Sequence, residues 1–201
     1  MNKIRINWLV ALALVFLPAA ALAEPAELNV RDLGAKGDGV ALDSPAINQA
    51  IEKAAAAGGG RVLVPAGKYL CGSIRMKSRV ELHLAKDAVI VADEWDSKNY
   101  DPTEPFTPPA YQDGGHTYFH NSLIWGENLE GVSITGEGLI DGGGLTTWKG
   151  ELNKKLGFGK GSQGEMAAAP VDPDKPTYAA NKAIALKLCK NVVIRDISIL
   201  K

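Results

Sequence analysis

Apolar and polar residues alternate with a period of two along much of the chain, in short runs separated by turn residues. The clearest run is ITGEGLIDGGG, residues 134–144, in which small apolar residues alternate with polar ones between glycines. Alternation of this kind predicts short β-strands, and glycine predicts tight corners because it tolerates backbone conformations that a Cβ disfavours. Residues 61–92, 122–144 and 183–201 are therefore predicted to be short parallel strands of one stack.

A recurring phrase supports that architecture. A corner residue followed by apolar, variable and apolar residues occurs in RVEL at 79–82, GVSI at 131–134 and NVVI at 191–194. The spacing is not constant, so the phrases fit stacked coils of roughly 20–30 residues only if loops are inserted between them. Residues 93–120 and 145–180 are the predicted insertions, because both lack strand or helix periodicity.

One segment has helical spacing instead. Residues 46, 47, 50, 51 and 54 form an apolar stripe, so a helix is predicted from Pro45 to Ala57, with Asp43 or Ser44 as its N-cap. Three glycines at 58–60 end it. An open stack exposes unpaired backbone at its first coil, and this helix is a suitable cap for that edge. Before it, Leu28, Val30 and Leu33 predict a short strand.

The two ends of the chain carry different signals. Lys3 and Arg5 precede a short apolar run and the small-x-small pattern of residues 21–23, which predicts an export signal cleaved between Ala23 and Glu24. A membrane anchor is the alternative, but a run of roughly ten residues is short of the ~20 needed to span. The domains are then 1–23, a signal peptide, and 24–201, a β-helix that is expected to be truncated because Lys201 interrupts strand-like sequence.

Charge and cysteine content restrict the partners. The formal net charge is −1, and loss of Lys3 and Arg5 with the signal makes it −3. This gives no argument for nucleic acid or an anionic membrane, and we expect a periplasmic or secreted monomer without cofactor. Cys71 and Cys189 either form one disulfide, which an exported protein permits, or are two small buried side chains, which is the simpler interpretation.

Four segments resemble the polygalacturonase family, glycoside hydrolase family 28. They are GAKGDG at 34–39, AINQAIEKAAAAGGG at 46–60, VPAGKYLCGSIRMKSRVELHL at 64–84 and ITGEGLIDGGG at 134–144, the last followed by Trp148. The first three also resemble the pectate-lyase-like domain shared by rhamnogalacturonases, epimerases and phage tailspikes. The resemblance implies a right-handed parallel β-helix of the all-β class, acting on galacturonic-acid linkages in a pectic polysaccharide or oligogalacturonide.

The resemblance also implies inverting hydrolysis by paired carboxylates. The family carries these in Asn-Thr-Asp and Asp-Asp motifs, followed by Gly-His-Gly and Arg-Ile-Lys, and none of the four occurs in this chain. We therefore assign no catalytic residue here and expect the catalytic aspartates beyond Lys201. Asp141 is predicted to bond its local backbone instead, and Glu81 and Asp196 are the other two acids of the strand segments that we consider as candidates.

His116, Tyr118 and His120 are the candidate substrate contacts, because aromatic rings and imidazoles in the 93–120 insertion can line a sugar subsite. The alternative is that this loop's aromatic residues pack it onto the stack. The i, i+4 spacing of the two histidines lacks a third metal ligand, so no metal site is expected. A non-catalytic, carbohydrate-binding or tailspike-like β-helix is the competing function. A calcium-dependent lyase would need clustered aspartates that the sequence does not show.

Overall fold

A computed structural model of the protein describes residues 27–95, 97–104, 119–145 and 182–200. Its strands are β1 (Glu27–Asn29), β2 (Asp38–Leu42), β3 (Gly60–Val64), β4 (Gly67–Cys71), β5 (Ile74–Arg75), β6 (Val80–Leu84), β7 (Ala88–Ala92), β8 (Ile124–Glu127), β9 (Ser133–Gly136), β10 (Leu139–Asp141), β11 (Ile184–Lys187), β12 (Val193–Ile194) and β13 (Ser198–Leu200). The helices are α1 (Ser44–Ala56) and two short 3-10 helices, Val30–Leu33 and Gly143–Leu145. Among the described residues, none of the helices has the length and apolarity needed to span a bilayer.

The strands form three parallel sheets. Sheet A has the order β1-β3-β6-β9-β12, sheet B the order β13-β10-β7-β4-β2, and sheet C the order β11-β8-β5. The chain passes from sheet A to sheet B and, in its middle coils, to sheet C before it returns to sheet A one coil further on. The all-β parallel β-helix is thereby confirmed, as are the strands predicted within 61–92, 122–144 and 183–201.

The corners of the repeated phrase share one backbone conformation. Arg79, Gly131 and Asn191 have φ angles of 59°, 68° and 52°, all in the left-handed region. A single residue in this region changes the direction of the chain sharply before the next strand, and residues other than glycine adopt it at a cost. The phrase was recognisable in the sequence because its corner residue stands at the same structural place in each coil.

The inward side chains of successive coils stack into one core. In β3, β6 and β7 buried and partly exposed residues alternate strictly, as expected when every second side chain points inward. The parallel register then places apolar residues of successive coils beside one another, with Val62 beside Leu82 and Leu82 beside Ile134. Each of these three is fully buried.

Helix α1 covers the start of the stack, as predicted. Its buried stripe comprises Ile47, Ala50, Ile51 and Ala54 together with Ser44. The predicted N-cap bond is absent: Asp43 holds the capping position, but its side chain accepts no hydrogen bond from the helix. The carboxylate instead accepts the backbone N–H groups of residues 36 and 37, at 2.6 and 2.9 Å. Asp43 therefore ties the preceding loop to the cap.

Two further expectations need correction. The strand predicted across residues 28–33 ends at Asn29, because the Asn29 side chain accepts the N–H of Arg31 and begins a 3-10 turn that closes at Gly34, where φ is 102°. Both cysteines are free; Cys71 is buried as predicted, but Cys189 is only partly buried. The signal peptide, with its cleavage site at Ala23 and Glu24, lies outside the described residues.

Candidate functional site

Aromatic and charged side chains cluster on the outer face of sheet C. Burial alternates along β8, so Ile124 points into the core while Trp125 and Glu127 point outward. Parallel pairing sets Trp125 beside Arg75 of β5 and Glu127 beside Lys187 of β11. Side chains from three successive coils therefore share one surface.

His120 stacks on Trp125 at this surface. The two ring centroids are 4.0 Å apart and the ring planes differ by 24°. The backbone of His120 is held by Glu104, whose carboxylate accepts the N–H groups of Phe119 and His120 at 2.9 and 3.0 Å. Because both rings are broad and flat, the stacked pair forms an amphipathic platform with an apolar body and polar ring nitrogens.

Glu127 joins this platform to the next coil. Its carboxylate lies 3.1 Å from His120 Nε2 and 3.0 Å from Lys187 Nζ. Hydrogen bonds from Lys187 and from His120 lower the pKa of Glu127. Glu127 is therefore a carboxylate at neutral pH and is suited to accept hydrogen bonds rather than to donate a proton.

A second ion pair lies on the other side of Trp125. Arg75 Nε donates to Asp101 Oδ2 at 2.7 Å, and Arg75 Nη2 donates to the other oxygen of the same carboxylate. The indole Nε1 of Trp125 also donates to Asp101 Oδ2, at 2.8 Å. The hydrogen bond to Asp101 raises the pKa of Arg75, so the guanidinium stays charged. Trp125 is thus held between two charged pairs.

Two lysines complete the surface around Phe119. The ammonium groups of Lys182 and Lys187 lie 5.1 and 5.4 Å from the centre of the Phe119 ring, within the range of cation–π attraction. A ligand resting on the His120–Trp125 platform would therefore meet cations close to one rim.

This combination has a definite binding chemistry. One face of a sugar ring presents C–H groups that pack on an aromatic ring, while its hydroxyls need donors and acceptors around the edge. The platform supplies the ring faces, Glu127 supplies an acceptor, and Lys187 and Arg75 supply donors. The surface can accordingly bind an acidic saccharide, whose carboxylate has the lysines within reach.

The structure describes one of the three predicted substrate contacts. His120 lies on the platform, and its contact with a sugar stays a prediction. His116 and Tyr118 lie outside the described residues. The alternative, packing onto the stack, holds for Tyr100 of the same insertion: it is 3% exposed, and its hydroxyl donates to the backbone carbonyl of Asp93.

Sequence reasoning missed the other members of the cluster, namely Arg75, Asp101, Trp125, Glu127 and Lys187. The signal for two of them was present, since strand alternation from Ile124 to Glu127 puts Trp125 and Glu127 on the face opposite the buried residues. Their meeting with Asp101 was not predictable, because it depends on the path of an inserted loop without periodicity.

The three acids considered from the sequence do not share a face. Glu81 lies on sheet A, in a groove of about 530 Å³, where Arg61 and Thr135 donate to it. Asp141 ends a strand of sheet B and, as predicted, accepts a local backbone bond from Gly143. Asp196 pairs with its neighbour Arg195.

Residues 28–156 match the sequence profile of the family described as rhamnogalacturonase A/epimerase, pectate lyase-like. The chain belongs to this family. The family-level prediction from the sequence is therefore confirmed, and the outer face of sheet C belongs to a pectate-lyase-like β-helix.

Two of its relatives are polygalacturonase-like. The chain is 38% identical over 133 residues to a probable polygalacturonase of Vitis vinifera, which covers 63% of this chain and 26% of the relative. It is 33% identical over 139 residues to an exo-poly-alpha-D-galacturonosidase of Dickeya chrysanthemi, which covers 66% of this chain and 22% of the relative. The chain thus spans about a quarter of the length of these relatives.

A solved structure supports the architecture. The exopolygalacturonase of Thermotoga maritima superposes with a TM-score of 0.64 at 29% identity, covering 88% of this chain and 43% of that one. The likeness agrees with the right-handed β-helix that the sequence resemblance implies.

Proposed function

We propose that the outer face of sheet C binds a pectic polysaccharide or oligogalacturonide, and that the chain is part of an exported, pectin-directed glycoside hydrolase. The observation that carries this is the stacked pair of His120 and Trp125, flanked by the ion pairs Glu127–Lys187 and Arg75–Asp101. Aromatic rings with a polar rim suit sugars, and family membership favours a polyuronate among them.

The charges near the platform support an acidic ligand. Lys187 and Lys182 both lie near the Phe119 ring, and Lys187 shares the Glu127 carboxylate with His120. The carboxylate of a uronate bound on the platform would replace its hydrogen bonds to water with hydrogen bonds to these ammonium groups, which are themselves only partly hydrated. Glu127 would then accept from sugar hydroxyls.

Catalysis by inversion, the mechanism that the family resemblance implies, would need a carboxyl with a raised pKa to protonate the leaving oxygen. On the described part of this face, the pKa of Glu127 is lowered and Asp101 is engaged by Arg75 and Trp125. We therefore assign these carboxylates to binding and orientation. The same observation favours the second candidate, a non-catalytic carbohydrate-binding β-helix. Polygalacturonate hydrolysis by the product of the whole reading frame, with any in-frame sequence beyond Lys201 included, decides between them.

The remaining proposals concern localisation and oligomeric state. The basic start, the apolar run and the small-x-small pattern support export to the periplasm or the medium with cleavage between Ala23 and Glu24. The mature protein is proposed to act as a monomer, without nucleic acid and without a membrane once the signal is removed.

Titration calorimetry with purified protein and an oligogalacturonide tests the proposed site. We expect Trp125→Ala to weaken binding on the order of tenfold or more, since it removes the stacking surface. Lys187→Met should weaken binding of the uronate more than that of a neutral oligosaccharide. Lys190→Met is the matched control. Lys190 is exposed, lies three residues after Lys187 in the chain, and forms no ion pair with the residues that the structure describes. Unchanged binding in Trp125→Ala would reject the site.

A further inference from the structure

Asp101 occupies an unusual place for a surface carboxylate. Its side chain is 12% exposed, and one of its oxygens, Oδ2, accepts from both Arg75 Nε and Trp125 Nε1. An indole has a single N–H, which lies in the ring plane. A bond from that N–H therefore restrains the rotation that would swing the Trp125 ring away from His120.

Asp101 is itself fixed to the stack. Its backbone N–H donates to Ser73 Oγ at 2.9 Å, and that hydroxyl donates to the carbonyl of Ser122 at 2.9 Å. Asn48 of helix α1 accepts the N–H of Arg75 and donates to the carbonyl of Ser73, both at 2.8 Å. The Asp101 carboxylate thus fixes the Trp125 ring, on the next coil, relative to the cap helix and the first coils.

The arrangement depends on both carboxylate oxygens of Asp101. Oδ2 accepts from Arg75 Nε and Trp125 Nε1, and the other oxygen accepts from Arg75 Nη2. An asparagine could keep its amide oxygen at the Oδ2 position and retain the indole bond, with only its NH₂ group turned toward Arg75. Asp101→Ala, which removes every acceptor, is therefore the substitution that releases Trp125.

We propose that Asp101 is a positioning residue, which sets the plane of Trp125 for stacking against a sugar ring, with Arg75 as its counterion. This inference rests on the proposed function of the sheet C face. It goes further in two ways. The affinity of that face depends on a residue that need not contact the ligand, and the cap helix α1 is part of the structure that supports the site.

The experiment compares Asp101→Ala with Asp196→Ala in the full protein. Asp196 also pairs with an arginine, Arg195, but it is more exposed and lies outside sheet C, so its variant controls for loss of a surface ion pair. We expect the indole N–H resonance of Trp125, assigned with Trp125→Phe, to move in Asp101→Ala and not in Asp196→Ala. Affinity for the oligogalacturonide should fall about tenfold, the scale of one lost charge-assisted bond.

Asp101→Glu supplies the rescue, since it keeps both acceptors and the charge. It should recover part of both the resonance position and the affinity, and it serves as the test variant if Asp101→Ala does not fold. A moved resonance with affinity equal to that of Asp196→Ala overturns the proposal. Unchanged affinity in Trp125→Ala would instead reject the binding face itself, which distinguishes the two failures.

Discussion

Glu81 and Arg61 face each other across neighbouring coils, with Arg61 Nε 2.9 Å from Glu81 Oε2. The hydroxyl of Thr135, one coil further on, donates to the other oxygen of Glu81. Burial raises the pKa of Glu81, but the bonds from Thr135 and Arg61 together outweigh burial and leave that pKa below its usual value. One carboxylate therefore links three successive coils of sheet A.

The first prediction concerns acid stability. The pKa of Glu81 is lower in the folded than in the unfolded state. The contribution of its carboxylate to folding stability is therefore fully present above the unfolded-state pKa of 4.5 and is lost as pH falls through the folded-state pKa. Glu81→Gln should lower the melting temperature at neutral pH and flatten its fall on acidification. Thermal melts from neutral pH to about pH 3 measure this, with the exposed Glu137→Gln as control. An acid limb as steep as that of the unaltered protein would contradict the prediction.

The second prediction concerns the strand ends. Gly136 has a φ of 109°, and a Cβ there would lie 1.9 Å from the carbonyl oxygen of Leu84. Gly136→Ala should lower the free energy of unfolding by roughly 3 kcal/mol or more, since a backbone clash adds to the conformational strain. Denaturant titration measures the change.

Gly34→Ala separates strain from clash. Gly34 has a similar φ of 102°, but nothing lies within 4 Å of the position of its Cβ. Its substitution should cost only about 1–2 kcal/mol, the price of a left-handed conformation. Equal effects of the two substitutions would show that the close approach of Gly136 to Leu84 does not limit the packing of the coils.

The stack was predictable because its information is local. Each coil repeats a corner, two inward apolar residues and outward polar residues, so a phrase such as RVEL states both the turn and the buried face. His83, placed between two leucines, faces outward as its alternation predicts. The cap helix was equally predictable from its apolar stripe, although Asp43 bonds to the preceding loop because those amides lie within reach of its carboxylate.

The candidate site was less predictable because its information is not local. Trp125 and Asp101 are 24 positions apart in the sequence and meet only through an inserted loop. Arg75 and Lys187 come from the coils before and after that of Trp125. That they share its face could not be predicted without the length of each coil. His120 was singled out by residue type, but its stacking partner could not be named from the sequence.

The third prediction concerns the start of the mature protein. Export should remove residues 1–23 and leave Glu24 as the N-terminus, because Ala21 and Ala23 supply the small residues at the cleavage site. N-terminal sequencing of protein from the periplasm or medium checks this. Ala23→Arg should block cleavage, whereas Leu22→Gln, at the unrestricted middle position, should not. A cytosolic product that retains Met1 would contradict the prediction.

The last prediction is that the 201-residue chain binds polygalacturonate but does not hydrolyse it. Inverting hydrolysis needs two carboxyl groups about 6.5–9.5 Å apart across the sugar, and one must hold a proton at working pH. Among the described residues, Glu127 and Glu81 have lowered pKa values and lie on different sheets, while Asp196 is paired with Arg195. Reducing-sugar release by the purified chain measures turnover, with a polygalacturonase as positive control and calorimetry to verify that the substrate is bound. Turnover that Asp141→Asn or Asp196→Asn abolishes would place the catalytic acid in this chain after all, because each change removes a carboxyl's proton-transfer capacity while keeping the side chain's size.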